Sequence, residues 1–306
     1  MVVPSVISNL ELCYAVFSGI NLVNMEDKLY ELTDPVLGTV KIRVRSLGRG
    51  RPVLLLHGWL ASGDLWLNLS RWLKEDYRFI IPDLPGFGDS PPLRGKGCVF
   101  DNTAKVLRLL ISELTRTEPL YGIVAYSLSG LFLLDISGKG ADFTIARSCF
   151  CSVPTEGISM LKPFVGNEFI TTGFFKCLKN SPGFLKKVIV NTVKLVKFRN
   201  TNITGTYILK EAFRSDPATV ARLLKTISFG SYSRRVAPPT LGKVLVTRGE
   251  RELVVRKGVA RRLSSDLGGY YYEFKGATHI PMLETPIEFN NIIGEFLGGA
   301  GDFEEI

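Results

Sequence analysis

Short apolar runs alternate with segments of helical periodicity along most of the chain. Residues 40–47 alternate apolar and polar positions, as in a half-exposed strand. Six further runs are almost continuously apolar, as strands buried on both faces of a parallel sheet are. They occupy residues 52–58, 78–84, 120–127, 144–153, 242–249 and 269–276. Residues 102–114 place apolar side chains at helical spacing between two of these runs. The alternation predicts an α/β fold with a mostly parallel central sheet flanked by helices.

The pattern changes between residues 154 and 240. Strand-like runs stop there, and helical segments with aromatic and basic residues replace them. This stretch has 14 Lys and Arg against 4 Asp and Glu, a net charge of +10, whereas the whole chain carries +9. The basic character of the protein therefore belongs to this segment, and the rest of the chain is close to neutral.

Composition narrows the class of protein. The chain has 306 residues, 45% hydrophobic and 22% charged, which suits one large globular α/β domain.

No apolar run approaches the roughly 18 residues of a membrane span, so stable membrane insertion is not expected. The first 23 residues have no basic leader and include Glu11, so we expect a cytoplasmic protein. The five cysteines form no CxxC pair, which argues against a disulfide framework and a zinc site. No recognised nucleic-acid-binding motif accompanies the positive charge.

The stretch GIVAYSLSG, residues 122–130, contains two candidate nucleophiles after an apolar run. A sharp strand-to-helix turn that exposes a catalytic serine needs small residues two positions before and after it. Around Ser127 those positions hold Ala125 and Ser129, whereas around Ser129 one of them holds the bulky Leu131. The spacing favours Ser127. A strand followed by a helix with ordinary serines is the alternative.

Four motifs occur in one order along the chain: LLLHGWLASGDLW, PDLPGFGDS, AYSLSG and GATHIPMLETPIEF. In this order and spacing they resemble the α/β-hydrolase superfamily, and the resemblance runs from about residue 28 to 298. Members of that superfamily carry a helical cap between the sixth and seventh strands. The resemblance therefore implies an α/β-hydrolase core made of residues 1–153 and 241–306, with an inserted helical cap at 154–240.

The resemblance also implies the residues of a catalytic site. Ser127 would be the nucleophile and His279 the general base, since the only other histidine lies in a different motif. The oxyanion hole would consist of the backbone N–H groups of Trp59 and Leu128. The Trp59 indole is expected to line the acyl pocket, with core packing as the alternative. No metal and no cofactor are implied.

Two further motif residues are expected to be structural. His57, with Gly58 beside it, would shape the oxyanion loop without taking part in catalysis. Asp83 would belong to a tight loop, next to glycines, beneath the site.

The acid of the site is less closely defined by the sequence. In the superfamily it usually stands three residues after a glycine that follows the seventh strand, which gives Glu252 when counted from Gly249. Its carboxylate would orient His279 and stabilise the imidazolium. Some members carry the acid after the sixth strand instead, where Glu156 is available. Both glutamates remain candidates.

The expected function is that of a serine hydrolase that cleaves carboxylic esters through an acyl-enzyme intermediate. A serine nucleophile disfavours the dehalogenase and epoxide-hydrolase branches, which attack with an aspartate. The same residues would also support a C–C bond hydrolase, an amide hydrolase or a perhydrolase. A catalytically silent binding protein with this fold is an alternative of another class.

The expected partner is a small-molecule ester substrate, and an anionic or lipid-like ester is one option. Nucleic acid is not an expected partner. Residues 183–199 predict a helix with one apolar face and lysines elsewhere. That helix would either cover the pocket or guide an anionic membrane, substrate or carrier protein. The sequence does not indicate an oligomeric state.

Overall fold

The structure is a computed structural model of the chain. It describes residues 25–95, 97–140, 143–158, 162, 165, 167–183, 201–229, 239–301 and 303–306.

The described strands form one nine-stranded sheet in the order β1-β2-β4-β3-β5-β6-β7-β8-β9. The strands are β1 (Glu26–Asp34), β2 (Gly38–Leu47), β3 (Arg51–Leu56), β4 (Tyr77–Pro82), β5 (Gly122–Tyr126), β6 (Arg147–Cys151), β7 (Lys243–Gly249), β8 (Tyr270–Phe274) and β9 (Glu304–Glu305). Pairing is parallel from β4 through β3 to β8, and antiparallel for β1–β2, β2–β4 and β8–β9. The predicted mostly parallel sheet is confirmed.

Nine helices lie in the described part of the chain. They are α1 (Leu67–Trp72), α2 (Val99–Thr115), α3 (Leu128–Gly138), α4 (Glu168–Asn180), α5 (Thr201–Arg214), α6 (Pro217–Phe229), α7 (Lys257–Asp266), α8 (Pro281–Glu284) and α9 (Pro286–Gly298). Short 3₁₀ turns occur at Gly63–Trp66 and Pro239–Leu241.

The sheet separates two apolar layers. Side chains of a strand alternate between its faces, so Leu54 and Leu56 of β3 join the core that contains α2 and α3. Val53 and Leu55 face the opposite layer, which contains Trp66 and residues of α9. Both faces are covered by helices, which explains why the central strands are continuously apolar rather than alternating.

The parallel register brings several loops to one edge of the sheet. Leu56 pairs with Ala125, and Tyr126 pairs with Cys151, so β3, β5 and β6 end at similar heights. Cys151 pairs with Thr247 of β7 in turn. The residues that follow these strands therefore share the carboxyl edge, where ligands bind in open α/β sheets.

Helices replace strands between β6 and β7, as the sequence predicts. The described residues of this segment include the helices α4, α5 and α6, and α4 packs against both of the others. Most of the predicted helix at 183–199 lies outside the described residues. The division into a core, 1–153 and 241–306, and a cap, 154–240, stays a prediction.

An ion-pair cluster joins α5 to the loop after β3. The Asp64 carboxylate accepts from Arg45 of β2 at 2.5 Å, and from Lys210 and Arg214 of α5 at 3.2 and 3.1 Å. These basic side chains hold the pKa of Asp64 below its usual range, although burial alone would raise it. The cluster fixes α5 beside the predicted oxyanion loop.

The start of α9 differs from its sequence signature. Thr285, Pro286 and Glu288 match a capping box, but the Thr285 hydroxyl donates instead to Pro281 O at 3.1 Å. The Glu288 carboxylate accepts from the Tyr272 hydroxyl at 2.9 Å. The expected capping hydrogen bonds of α9 are replaced because Thr285 directly follows the helical turn α8.

Within the described ranges, no helix is long and apolar enough to cross a bilayer.

Candidate active site

Ser127 occupies a strained turn between β5 and α3. Its backbone adopts φ 51° and ψ −114°, a conformation that side-chain-bearing residues rarely adopt. The turn is held on one side by a hydrogen bond from Ser127 N to Cys151 O, 2.8 Å. Close packing of α3 requires Gly130, because a Cβ there would lie 2.2 Å from Val153 Cγ2. Strain of this kind at a sheet edge is typical of a nucleophile elbow.

His279 reaches Ser127 from the loop between β8 and α8. Its Nε2 lies 3.1 Å from Ser127 Oγ, and its Nδ1 lies 2.9 and 3.0 Å from the two oxygens of Glu252. An ionised carboxylate can only accept hydrogen bonds, so the proton of the neutral imidazole sits on Nδ1. The Nε2 lone pair then faces the serine hydroxyl, as a general base requires.

Glu252 is buried in the loop after β7, where backbone amides bind it. Val254 N and Val255 N donate to its Oε1 at 3.0 and 3.3 Å. Burial would raise the pKa of Glu252, but the charge of His279 and these hydrogen bonds hold it below its usual value. The loop can approach His279 because residue 249 is glycine; a Cβ there would lie 2.0 Å from Thr278 O.

Glu156, the alternative acid, lies outside this group of side chains. Its carboxylate is exposed and accepts from Arg256, at 2.6 Å, and from Arg262. The structure therefore brings Ser127, His279 and Glu252 together and leaves Glu156 in a surface ion pair.

The predicted oxyanion residues flank Ser127. Leu128 begins α3, and first-turn N–H groups of a helix have no partner within it. Trp59 follows Gly58, at which a Cβ would lie 3.1 Å from Ser127 Cβ. Leu60 is strained as well, with φ 50°. The backbones of the two loops thus approach each other closely beside the nucleophile, as an oxyanion hole requires.

The two predicted structural residues support the loops. Leu84 N donates to His57 Nε2 at 2.8 Å, so Nδ1 carries the proton and donates to Gly58 O. Complete burial lowers the pKa of His57 to about 4, which keeps the ring neutral. Asp83 accepts from Gly63 N at 2.7 Å and from Arg45. Neither residue contacts Ser127 through these bonds.

A cavity of about 250 Å³ opens at Ser127 and His279. The other described lining residues are mostly apolar: Trp59, Leu60, Ala61, Leu65, Tyr126, Ile158, Tyr207, Ile208, Ile227, Val254 and Ile280. Trp59 lies in the wall and also donates from Nε1 to Val220 O of α6, 3.0 Å. Its indole therefore links α6 to the cavity as well as lining it.

Sequence reasoning missed Glu284. Its buried carboxylate accepts from both the backbone N–H and the hydroxyl of Thr278, the residue before His279. Burial raises the pKa of Glu284; hydrogen bonds from Thr278 oppose this shift, and the charge of Glu252 adds to it. The glutamate follows His279 by five residues, but its link to Thr278 becomes evident only once the loop is folded.

We expect Glu284→Gln to lower kcat by on the order of 10- to 100-fold with little change in KM, because the anchor of the histidine loop is weakened. Loss of a negative charge near His279 would destabilise the imidazolium, so the acidic limb of the kcat profile should move to lower pH. Measuring kcat from pH 5 to 9 tests both effects. Glu288→Gln, which alters a bond to Tyr272, is the matched control. An unchanged profile would leave Glu284 without a positioning role.

The chain matches the family model of the alpha/beta hydrolase fold over residues 51–136. It is 30% identical over 278 residues to the 2-hydroxy-6-oxononadienedioate/2-hydroxy-6-oxononatrienedioate hydrolase of Klebsiella pneumoniae, covering 86% of this chain and 92% of that protein. It is 29% identical over 92 residues to the pimeloyl-[acyl-carrier protein] methyl ester esterase of Aeromonas salmonicida. That match spans 30% of this chain and only 34% of the esterase.

Solved structures share the fold. A thermophilic esterase from Thermogutta terrifontis, with malate bound, superposes with a TM-score of 0.72 at 21% identity, over 89% of this chain and 98% of the esterase.

Fold and site geometry together define an α/β protein with a Ser–His–Glu arrangement at the sheet edge. The chain belongs to the α/β-hydrolase family. Hydrolase activity is supported by these relatives.

Proposed function

We propose that the protein is a serine hydrolase that cleaves carboxylic esters through an acyl-enzyme. The observation that carries the proposal is the hydrogen-bonded chain from Ser127 through His279 to Glu252, beside an apolar cavity. The core and cap division of the chain, 1–153 with 241–306 and 154–240, is part of the proposal.

The proposed reaction has two halves. Ser127 Oγ attacks the ester carbonyl while its proton passes to His279 Nε2, and Glu252 stabilises the imidazolium. The carbonyl oxygen becomes an oxyanion that the N–H groups of Trp59 and Leu128 would bind. When the C–O bond breaks, His279 returns the proton to the departing alcohol. Water then attacks the acyl-enzyme with the same proton transfers, which releases the acid and restores Ser127.

The cavity supports an uncharged ester more than an anionic one. None of its described lining residues is Lys or Arg. Burial of a carboxylate without a partner is costly, so an acyl group that carries one would bind poorly here. C–C bond cleavage is the second candidate, because the same three residues would support it and the Klebsiella relative, matched over 92% of its length, is named a hydrolase of a dienedioate. The apolar lining of the cavity disfavours such a dicarboxylate as the substrate of this protein.

A fluorophosphonate probe and a panel of p-nitrophenyl esters test the proposal. We expect the probe to label the protein but not Ser127→Ala. Neutral short-chain esters should turn over, and a cavity of about 250 Å³ should cause kcat/KM to fall as the acyl chain outgrows it. An unlabelled protein would indicate a catalytically silent binding protein. Preference for a dienedioate over every ester would favour the C–C hydrolase.

A further inference from the structure

A second cavity lies against the one that opens at Ser127. Its volume is about 200 Å³, and its described lining comes from the segment after β6, the loop after β7 and the first turn of α7. The apolar residues of this lining are Pro154, Ile158, Leu253, Val254, Val255 and Val259. The reaction proposed above does not use this cavity.

Two residues separate the cavities. Ile158 and Val254 line both the cavity at Ser127 and the second cavity. Because protein interiors are close-packed, a residue that borders two spaces marks a place where the wall between them is one residue thick. Ile158 is buried and Val254 is half-buried. We call these two residues the partition.

Hydrogen bonds hold both halves of the partition in place. Ile158 N donates to Ile227 O of α6 at 3.0 Å. Val254 N donates to Oε1 of Glu252 at 3.0 Å. The buried Arg248 side chain donates to two carbonyl oxygens of the loop that carries Val254, at 3.2 Å each. The partition is therefore a wall of fixed position at one end of the candidate active site.

The lining of the second cavity suits an uncharged alkyl chain. Its two described charged residues, Glu156 and Arg256, are bonded to each other at 2.6 Å. The side chains of Arg256 and Leu253 are 78% and 80% exposed, so the cavity reaches the surface and its charges stay in water. A chain of methylene groups would gain apolar contacts there without separating an ion pair.

We propose that Ile158 and Val254 set the upper limit of the length of ester that the protein cleaves. Removal of either side chain would join the second cavity to the active site as an extension for an alkyl chain. This inference rests on the proposed esterase function. Each methylene group that enters the second cavity should raise kcat/KM by up to about fourfold, the value of one buried CH₂ group.

Chain-length profiles of p-nitrophenyl esters, from acetate to dodecanoate, test the proposal. In the unchanged protein, kcat/KM should fall steeply once the chain reaches the partition. In Ile158→Ala and Val254→Ala, the best ester should be longer. The ratio of kcat/KM for long esters to that for short ones should rise on the order of 100-fold, as three or four further methylene groups become buried.

Ile227→Ala is the matched control. It removes the same three carbons as Ile158→Ala from the cavity at Ser127, but Ile227 is not among the described residues of the second cavity. The ratio should therefore change by less than about tenfold, since only the first cavity is widened. Val259→Phe, added to Ile158→Ala, should fill the second cavity from α7 and reverse the gain. Thermal unfolding shows whether each variant is folded, and Val254→Ala, at a half-buried position, is the milder substitution.

Straight-chain alkanols give a readout that needs no turnover. A ligand that binds only the folded protein raises its melting temperature. The alkanol that raises it most should be longer for Ile158→Ala and Val254→Ala than for the unchanged protein. If this difference appeared in a protein that hydrolysed no ester, the proposed function would fail and the role of the partition would stand.

Three results would overturn the role of the partition. One is the same length preference, for esters and for alkanols, in the unchanged protein and in the folded alanine variants. Another is an equal gain in Ile227→Ala and Ile158→Ala, which would mean that a wider first cavity alone admits the longer chain. The last is an unchanged protein that cleaves the dodecanoate as efficiently as the butyrate, because no wall would then limit the ester.

Discussion

The single variants Ser127→Ala and His279→Ala should each lower ester turnover by on the order of 10⁴–10⁶-fold. Ser127→Ala removes the atom that would form the acyl-enzyme, and His279→Ala removes the base 3.1 Å from it. The measurement is kcat on a p-nitrophenyl ester, together with thermal unfolding of each variant. Both should fold, because the strained turn at Ser127 is held by backbone contacts rather than by the serine hydroxyl.

Combining the two substitutions in one protein gives a second test of the assignment of Ser127 and His279. Residues that act as a unit have non-additive effects on catalysis. Ser127→Ala/His279→Ala should therefore be about as slow as either single variant. Multiplicative losses would indicate that the two residues act separately.

Ser129→Ala is the matched control for the elbow. The Ser129 hydroxyl donates to His57 O, away from His279, so its loss weakens one support of the oxyanion loop. We expect turnover within about tenfold of the unchanged protein, the effect of one buried hydrogen bond. If Ser129→Ala were as inactive as Ser127→Ala, the position of the nucleophile would have to be reassigned.

The parallel part of the sheet could be predicted because each buried strand is a short apolar run between turn residues. Two edge strands were missed. β1 has the sequence EDKLYELTD, and most of its residues are exposed, so no apolar run marks it. It is identified by its register with β2, from Glu26 opposite Ser46 to Asp34 opposite Gly38. β9 has only two residues, both exposed.

The candidate site was predictable as far as its chemistry depends on local spacing. The small residues around Ser127 can be read from the sequence itself, whereas the spacing from Gly249 to Glu252 indicates an acid only through the resemblance to the superfamily. Contacts between distant segments are not. The sequence could not show that Glu156 pairs with two arginines, or that Arg45 and Asp83 meet beneath the oxyanion loop at 3.2 Å.

Glu252→Gln is expected to lower kcat by on the order of 10⁴-fold, comparable with the loss of the orienting acid in other triads. The amide oxygen should stay with Val254 N and Val255 N, which already bind Oε1. The new NH₂ would then lie about where Oε2 lies, 3.0 Å from His279 Nδ1. The amide oxygen at the Oε1 position, 2.9 Å from Nδ1, can still accept from it, but the NH₂ competes by favouring the tautomer with the proton on Nε2. The neutral side chain also no longer stabilises the imidazolium that forms when His279 takes the proton of Ser127.

Stability should respond to the same substitution in a pH-dependent way. The pKa of Glu252 is lower in the folded protein than its ordinary value of 4.5. The ionised carboxylate therefore stabilises the fold above that pH, and the contribution is lost as pH falls through the folded pKa. Melting temperatures of the unchanged protein and Glu252→Gln should differ least at the acidic end of a series from pH 7 to pH 3.

Glu156→Gln provides the control for the assignment of the acid. It removes the same charge from a glutamate after β6, but one that is exposed and bound to Arg256 and Arg262. Exposed ion pairs contribute little, so turnover and melting temperature should stay close to those of the unchanged protein. If Glu156→Gln lost turnover while Glu252→Gln kept it, the acid of the site would be the glutamate after the sixth strand. In that case the contact between Glu252 and His279 would serve only to pack the two loops together.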